Sequence, residues 1–182
     1  MWSERPYDWK GLSCPRPRAT RVSQLTMGMP CFWYRYVDDV LCLIPDNFDL
    51  TSFLEFINSQ YHSLKFTFEW ESNGSIPFLD VLIHNFGTFL KFSVYRKPTN
   101  AEAYLHYFSY TSKNIKIGLA QGLFLRALRI CDDTFLQIEF DHIYKSLSKL
   151  AYPDYILKKS LFKAKQTFYK TKIQTKDKEI KK

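Results

Sequence analysis

The stretch Cys31-Phe32-Trp33-Tyr34-Arg35-Tyr36-Val37-Asp38-Asp39-Val40-Leu41-Cys42-Leu43-Ile44 sets two short apolar runs on either side of Val37-Asp38-Asp39. Aromatic and β-branched runs of this length form strands, and two of them around a short polar break form a hairpin. A hairpin with two carboxylates near its tip is therefore predicted, ended by Pro45, which has no N–H to give a ladder. Upstream, residues 1–30 carry Pro6, Pro15, Pro17 and Pro30 with scattered Arg and no apolar period, so they read as an irregular N-terminal segment.

Downstream, Asp46 and Asp49 are alternative N-caps for a helix whose Leu50, Phe53, Leu54 and Ile57 follow the i, i+3, i+4, i+7 pattern. Leu64, Phe66, Phe68 and Trp70 then alternate with Lys65, Thr67, Glu69 and Glu71, the period of a strand with one buried face. Asn73-Gly74 and Asn85-Phe86-Gly87 read as turns that join this strand to Ile76–His84 and Thr88–Tyr95, giving a three-stranded antiparallel meander. Beyond Pro98 the period becomes helical. Thr111 or Ser112 caps a helix to about Ile130, Asp132 or Asp133 caps a second, and Pro153 opens a third. Strands first and helices second indicate an α+β chain with two subdomains.

The chain of 182 residues is 46% hydrophobic and 18% aromatic, enough for a packed core and too much for a disordered linker. No apolar run reaches the roughly 18 residues of a membrane span, and no secretory signal opens the sequence, so an intracellular protein without a membrane partner is expected. Cys14, Cys31, Cys42 and Cys131 form no Cys-x-x-Cys pair and signal neither zinc nor a disulfide framework. Residues 1–157 hold 16 basic against 16 acidic side chains, whereas residues 158–182 hold 10 Lys against Asp177 and Glu179. The net charge of +8 thus sits at the end of the chain. Such an end attracts phosphates without sequence preference, or is a solvated helix terminus.

Adjacent carboxylates repel when a hairpin holds them together. A divalent cation would relieve Asp38 and Asp39; two Mg²⁺ roughly 3.5–4 Å apart would serve an in-line phosphoryl displacement. A solvated turn is the alternative. His62, His84, His106 and His142 have no ligand spacing and read as satisfied or exposed. Asp80, among Phe78, Leu79, Val81 and Leu82, would need a partner if buried. Cys131 precedes a helix start, which would lower its pKa.

The run from Phe32 to Leu41 resembles the aromatic-x-Asp-Asp hairpin of reverse transcriptases. With Lys65-Phe66-Thr67-Phe68-Glu69, Ile76-Pro77-Phe78-Leu79-Asp80-Val81, Ser93-Val94-Tyr95-Arg96-Lys97-Pro98-Thr99, Tyr104-Leu105-His106 and Arg126-Ala127, residues 31–160 look like the reverse transcriptases of Penelope-like retroelements. The resemblance implies a partial palm over 31–99, a helical thumb over 100–170 and a Lys-rich tail over 171–182. It implies Asp38 and Asp39 as the catalytic, Mg²⁺-binding pair, with Tyr36 and Val37 beside the primer end. It also implies Lys65 near nucleotide phosphates, Arg96 and Lys97 on backbone phosphate, and an RNA or DNA template-primer as partner. For Lys65, Arg96 and Lys97 a solvated surface position is the competing reading.

A polymerase also needs a further metal-binding Asp from an earlier strand, and Asp8 is the sole Asp before Cys31. The two-metal site is incomplete, so the chain alone is expected to be inactive. Two other readings stand beside the enzyme fragment: a helix-turn-helix-like nucleic-acid-binding module, and an interaction-prone product that self-associates through an exposed palm face.

Overall fold

The computed structural model describes residues 30–180, with side chains as far as Gln174 in the last helix. Apart from Pro30, the expected irregular segment, with Asp8 and Cys14, lies outside the described residues. Among them the chain is α+β, with four helices and two small antiparallel sheets. It divides into two units, Met1–Glu69 and Trp70–Lys182.

The first unit is built on the predicted hairpin. Strands β1 (Phe32–Tyr36) and β2 (Asp39–Leu43) pair from Phe32↔Leu43 to Tyr36↔Asp39, leaving Val37-Asp38 as a two-residue turn. Such turns need left-handed backbone, which Val37 adopts at φ 50, an unfavourable choice for a β-branched residue. The Arg35 Nε donates to the Val37 carbonyl at 2.8 Å across this turn. Helix α1 (Leu50–Ser59) starts at Asp49, whose carboxylate accepts from the Ser52 amide at 3.1 Å and from its hydroxyl at 2.6 Å. Its apolar side buries Phe53 edge-on to Trp33 and Phe48, with ring centroids 5.9 and 5.3 Å away.

Residues 64–71 form no strand, which corrects the predicted meander. The Asn58 side chain holds Phe66 instead, accepting from its amide at 2.6 Å and donating to its carbonyl at 3.1 Å. These two bonds imitate one rung of a ladder and need no partner strand, while Leu64, Phe68 and Trp70 stay exposed.

The second unit contains a different three-stranded sheet, ordered β3 (Ser75–Phe78), β4 (Val81–Asn85), β5 (Leu90–Val94). What reads as one strand from Ile76 to His84 is a hairpin, because Leu79 at φ 54 and Asp80 reverse the chain between the paired Phe78 and Val81. Pro77 lies in edge strand β3, where its missing N–H costs no ladder bond. Phe78, Ile83, Phe92 and Val94 are buried, and β5 packs against both α2 (Lys113–Ile130) and α3 (Asp133–Lys149).

The helices hold the main core. Phe124, Leu147 and Leu157 are fully buried, and Ala120, Ala127 and Ala164 let α2 and α4 (Asp154–Ile180) approach closely. Residues 171–180, expected as a separate tail, continue α4. Only Cys131 and Asp132 separate α2 from α3. The corner from α3 to α4 is a Schellman turn: Ala151 takes φ 63, its amide donates to Ser148 O at 3.0 Å, and Tyr152 N donates to Leu147 O at 3.2 Å.

Candidate nucleic-acid interface

Tyr36, Val37, Asp38 and Asp39 share the tip of the β1–β2 hairpin and are all exposed. Among the described residues no group of three or more His, Cys, Asp or Glu side chains is placed to hold a metal ion. Lys65 is exposed on the extended stretch after α1, and Lys97 is exposed after β5.

Arg96 has a different setting. Its Nη1 and Nη2 donate to the two oxygens of Glu139 at 2.9 and 2.5 Å, and Nε lies 3.2 Å from Glu102 Oε1 in an ion pair outside hydrogen-bond geometry. Glu102, at the left-handed φ of 49, also accepts from Ser146 Oγ at 2.7 Å and hydrogen-bonds His142 Nε2. Burial works against the Glu102 charge, but the bonds from Ser146 and His142 and the Arg96 charge outweigh it and hold this carboxyl below the usual range. Burial likewise disfavours the Arg96 cation, and Glu139 and Glu102 more than compensate, raising its pKa. The Arg96 fork is thus committed to two carboxylates that the sequence reading did not nominate. Glu139, His142 and Ser146 lie at i, i+3, i+7 on α3, a periodic polar signal, whereas Glu102 in the preceding loop has no local signature.

A cavity of about 200 Å³ borders this network, lined by Arg96, Glu139 and His142 with Ser93, Cys131 and Phe135. Cys131 corrects its expectation. Burial pushes its thiol up to about 11, and a hydrogen bond involving the Val94 backbone offsets only part of that rise. Two of the other residues singled out in the sequence, His84 and Asp80, have partners within the fold. His84 meets Ser93 Oγ at 2.9 Å and stacks on Phe135, and Asp80 is an exposed turn residue 3.2 Å from Arg126.

The charged surface belongs to α4. From Asp154 to Gln174 it holds six Lys, no Arg and one acidic residue. At about 100° per residue, Lys158, Lys165 and Lys172 form one stripe and Lys159, Lys163 and Lys170 a second. Between them run Tyr155, Phe162, Tyr169 and Ile173, which are 61%, 62%, 56% and 61% exposed. On the opposite side Ile156, Leu157, Ser160 and Ala164 enter the core. The first stripe has partners within the protein: Lys158 pairs with Asp154 at 2.7 Å, and Lys165 and Lys172 lie over the Phe140 and Phe168 rings. Lys159, Lys163 and Lys170 make no side-chain ion pair or hydrogen bond among the described residues.

Residues 103–162 match a family model, the animal helix-turn-helix domain. The match runs from the loop before α2 through α3 into the first turns of α4. No curated protein and no solved structure matches the chain. The finding overturns the reverse-transcriptase reading: the segment taken for a polymerase thumb matches a helix-turn-helix family and no reverse-transcriptase family is matched. The match does not reach Asp38 and Asp39, and so bears neither on the catalytic and Mg²⁺-binding roles expected of them nor on the template-primer partner. Aromatic strands around two acids form a hairpin without fixing the chemistry beside it.

No helix among the described residues is long and apolar enough to cross a membrane.

Proposed function

We propose that the helical part of the second unit is a nucleic-acid-binding module of helix-turn-helix type, with α4 as the helix presented to the phosphate backbone. The observation that carries the reading is the distribution of charge on α4, where two Lys stripes flank the face that does not enter the core. Three facts support it: the family match over residues 103–162, the two-residue connection between α2 and α3, and the Schellman corner that starts α4 beside the core. Lys acts as a point charge, without the bidentate geometry of Arg, so binding follows phosphate density rather than base sequence.

The test is a titration of the whole chain with a fluorescent oligonucleotide between 50 and 200 mM KCl, on the wild type and on Lys159→Gln/Lys163→Gln/Lys170→Gln. Each phosphate contact contributes about 0.7–0.9 to the logarithmic salt slope, so the triple variant loses roughly 2–3 from it. Affinity indifferent to salt, or a variant with an unchanged slope, refutes the proposal.

A second reading concerns the first unit, where the exposed Trp33, Leu43 and Leu64 offer apolar surface for self-association. Sedimentation velocity over a tenfold concentration range tests it; a single monomeric species throughout would exclude it.

A further inference from the structure

The outer face of α4 combines two features that seldom coincide on a folded helix. It is strongly basic at both margins, and its midline is aromatic. Tyr155, Phe162 and Tyr169 recur every seven residues, so their rings stand roughly 10.5 Å apart along one line, drifting about 20° per step. More than half of each residue is open to solvent. One ring is oriented by a neighbour: Phe168 meets the Tyr169 ring at 5.6 Å, 68° from parallel. Tyr107 brings the exposed Phe108, with ring centroids 5.5 Å apart, to the Tyr155 end of the line.

We infer that this face binds single-stranded nucleic acid, its unpaired bases stacking on Tyr155, Phe162 and Tyr169 while the two Lys stripes hold the phosphates. The inference rests on the nucleic-acid reading above and specifies the strand state. Every unpaired base offers an open π face, and a stacked strand advances about 3.4 Å per nucleotide, so one ring meets about every third base. A duplex keeps those faces covered and must be unstacked, at a cost of a few kcal/mol per step, before a ring can use them. Readout of base edges in a groove is poorly served here: from Asp154 to Gln174 the helix has no Arg or Asn, and Gln166 alone lies near the aromatic line. A second copy of the chain is disfavoured as occupant, because pairing two such faces opposes Lys with Lys on both margins. The charge calls for a polyanion and the rings call for exposed planar bases.

The experiment uses the whole chain and three fluorescein-labelled probes, dT20, U20 and a mixed 20-base-pair duplex, at 100 mM KCl. Wild type is expected to bind dT20 and U20 at least tenfold tighter than the duplex. Each lost stack weakens single-strand binding roughly five- to 150-fold. Phe162→Ala/Tyr169→Ala should therefore lose at least tenfold on dT20 while changing the duplex less than twofold, and Phe162→Trp should retain dT20 binding. Both positions are exposed, and an unchanged far-ultraviolet circular dichroism spectrum confirms the fold. Equal or tighter duplex binding, or a double variant that keeps dT20 affinity, overturns the inference and leaves the nucleic-acid reading standing. Absence of salt-dependent binding to any probe overturns both. Sedimentation with phosphatidylserine vesicles that excess dT20 fails to compete would assign the face to lipid and overturn it as well.

Discussion

Asp132 and Phe92 close a two-point bridge between the α2–α3 turn and strand β5. The Asp132 amide donates to the Phe92 carbonyl at 2.9 Å, and the Asp132 carboxylate accepts from the Phe92 amide at 2.7 Å. Asp132 stands at the N-cap of α3, yet its side chain makes no capping bond to that helix. It serves the sheet instead, satisfying both backbone groups of Phe92, which β5 as the edge strand opposite β3 has no fourth strand to meet.

Replacing this carboxylate therefore leaves an unmet amide at a part-buried edge. Asp132→Ala is expected to cost about 1–3 kcal/mol, and Asp132→Asn less, because its amide oxygen still accepts. Urea unfolding of the two variants against wild type measures the difference; equal stability of all three would show that the bridge contributes nothing.

The network around Glu102 makes stability depend on acid. Its folded-state carboxyl titrates below the ordinary value, so its contribution is full above the unfolded pKa and is lost as pH falls through the folded one. Melting temperature should fall more steeply below about pH 4.3 in wild type than in Glu102→Gln. The same slope in both proteins would assign the acid sensitivity elsewhere.

Cys131 carries the opposite sign. With its thiol pushed up to about 11 by burial, its contribution is complete below the unfolded thiol pKa and disappears as pH rises toward the folded value. The thiolate is scarce at neutral pH. With the other three cysteines changed to Ser, alkylation of native protein by iodoacetamide at pH 8 should be about two orders of magnitude slower than of urea-unfolded protein. Comparable rates would place the thiol in water.

Ser160 is fully buried against the helical core, and its Oγ has no hydrogen-bond partner. A buried hydroxyl without a partner is costly, and Ala is the better helix former. Ser160→Ala should raise stability by about 1 kcal/mol, read from the denaturation midpoint, and a loss of stability would mean that the hydroxyl is satisfied.

Local chemistry makes several of these features legible in the sequence. Asp49 and Ser112 cap the helices that their sequence context announces, and Asn73-Gly74 turns as its left-handed pair requires. The stretch Leu64–Glu71 shows the limit. Its alternation states which side chains would share a face, but pairing needs a second strand, and Asn58 supplied hydrogen bonds to Phe66 from within the same unit. Leu79-Asp80 shows the converse, a reversal whose left-handed residue is a Leu with no turn preference, made where Phe78 and Val81 pair across it.

The sequence alone indicated a hairpin around Val37-Asp38-Asp39, helix starts at Asp46 or Asp49, at Thr111 or Ser112 and at Asp132 or Asp133, and the Lys enrichment after residue 157, because caps, turns and charge are properties of neighbours along the chain. Tertiary structure decided that Arg96 faces Glu139 and Glu102, that Asp132 serves Phe92, and that Tyr155, Phe162 and Tyr169 look outward while Leu157 and Ala164 look inward. These depend on which groups meet across forty residues of chain, and burial and ion pairing act only between groups that packing has already brought together.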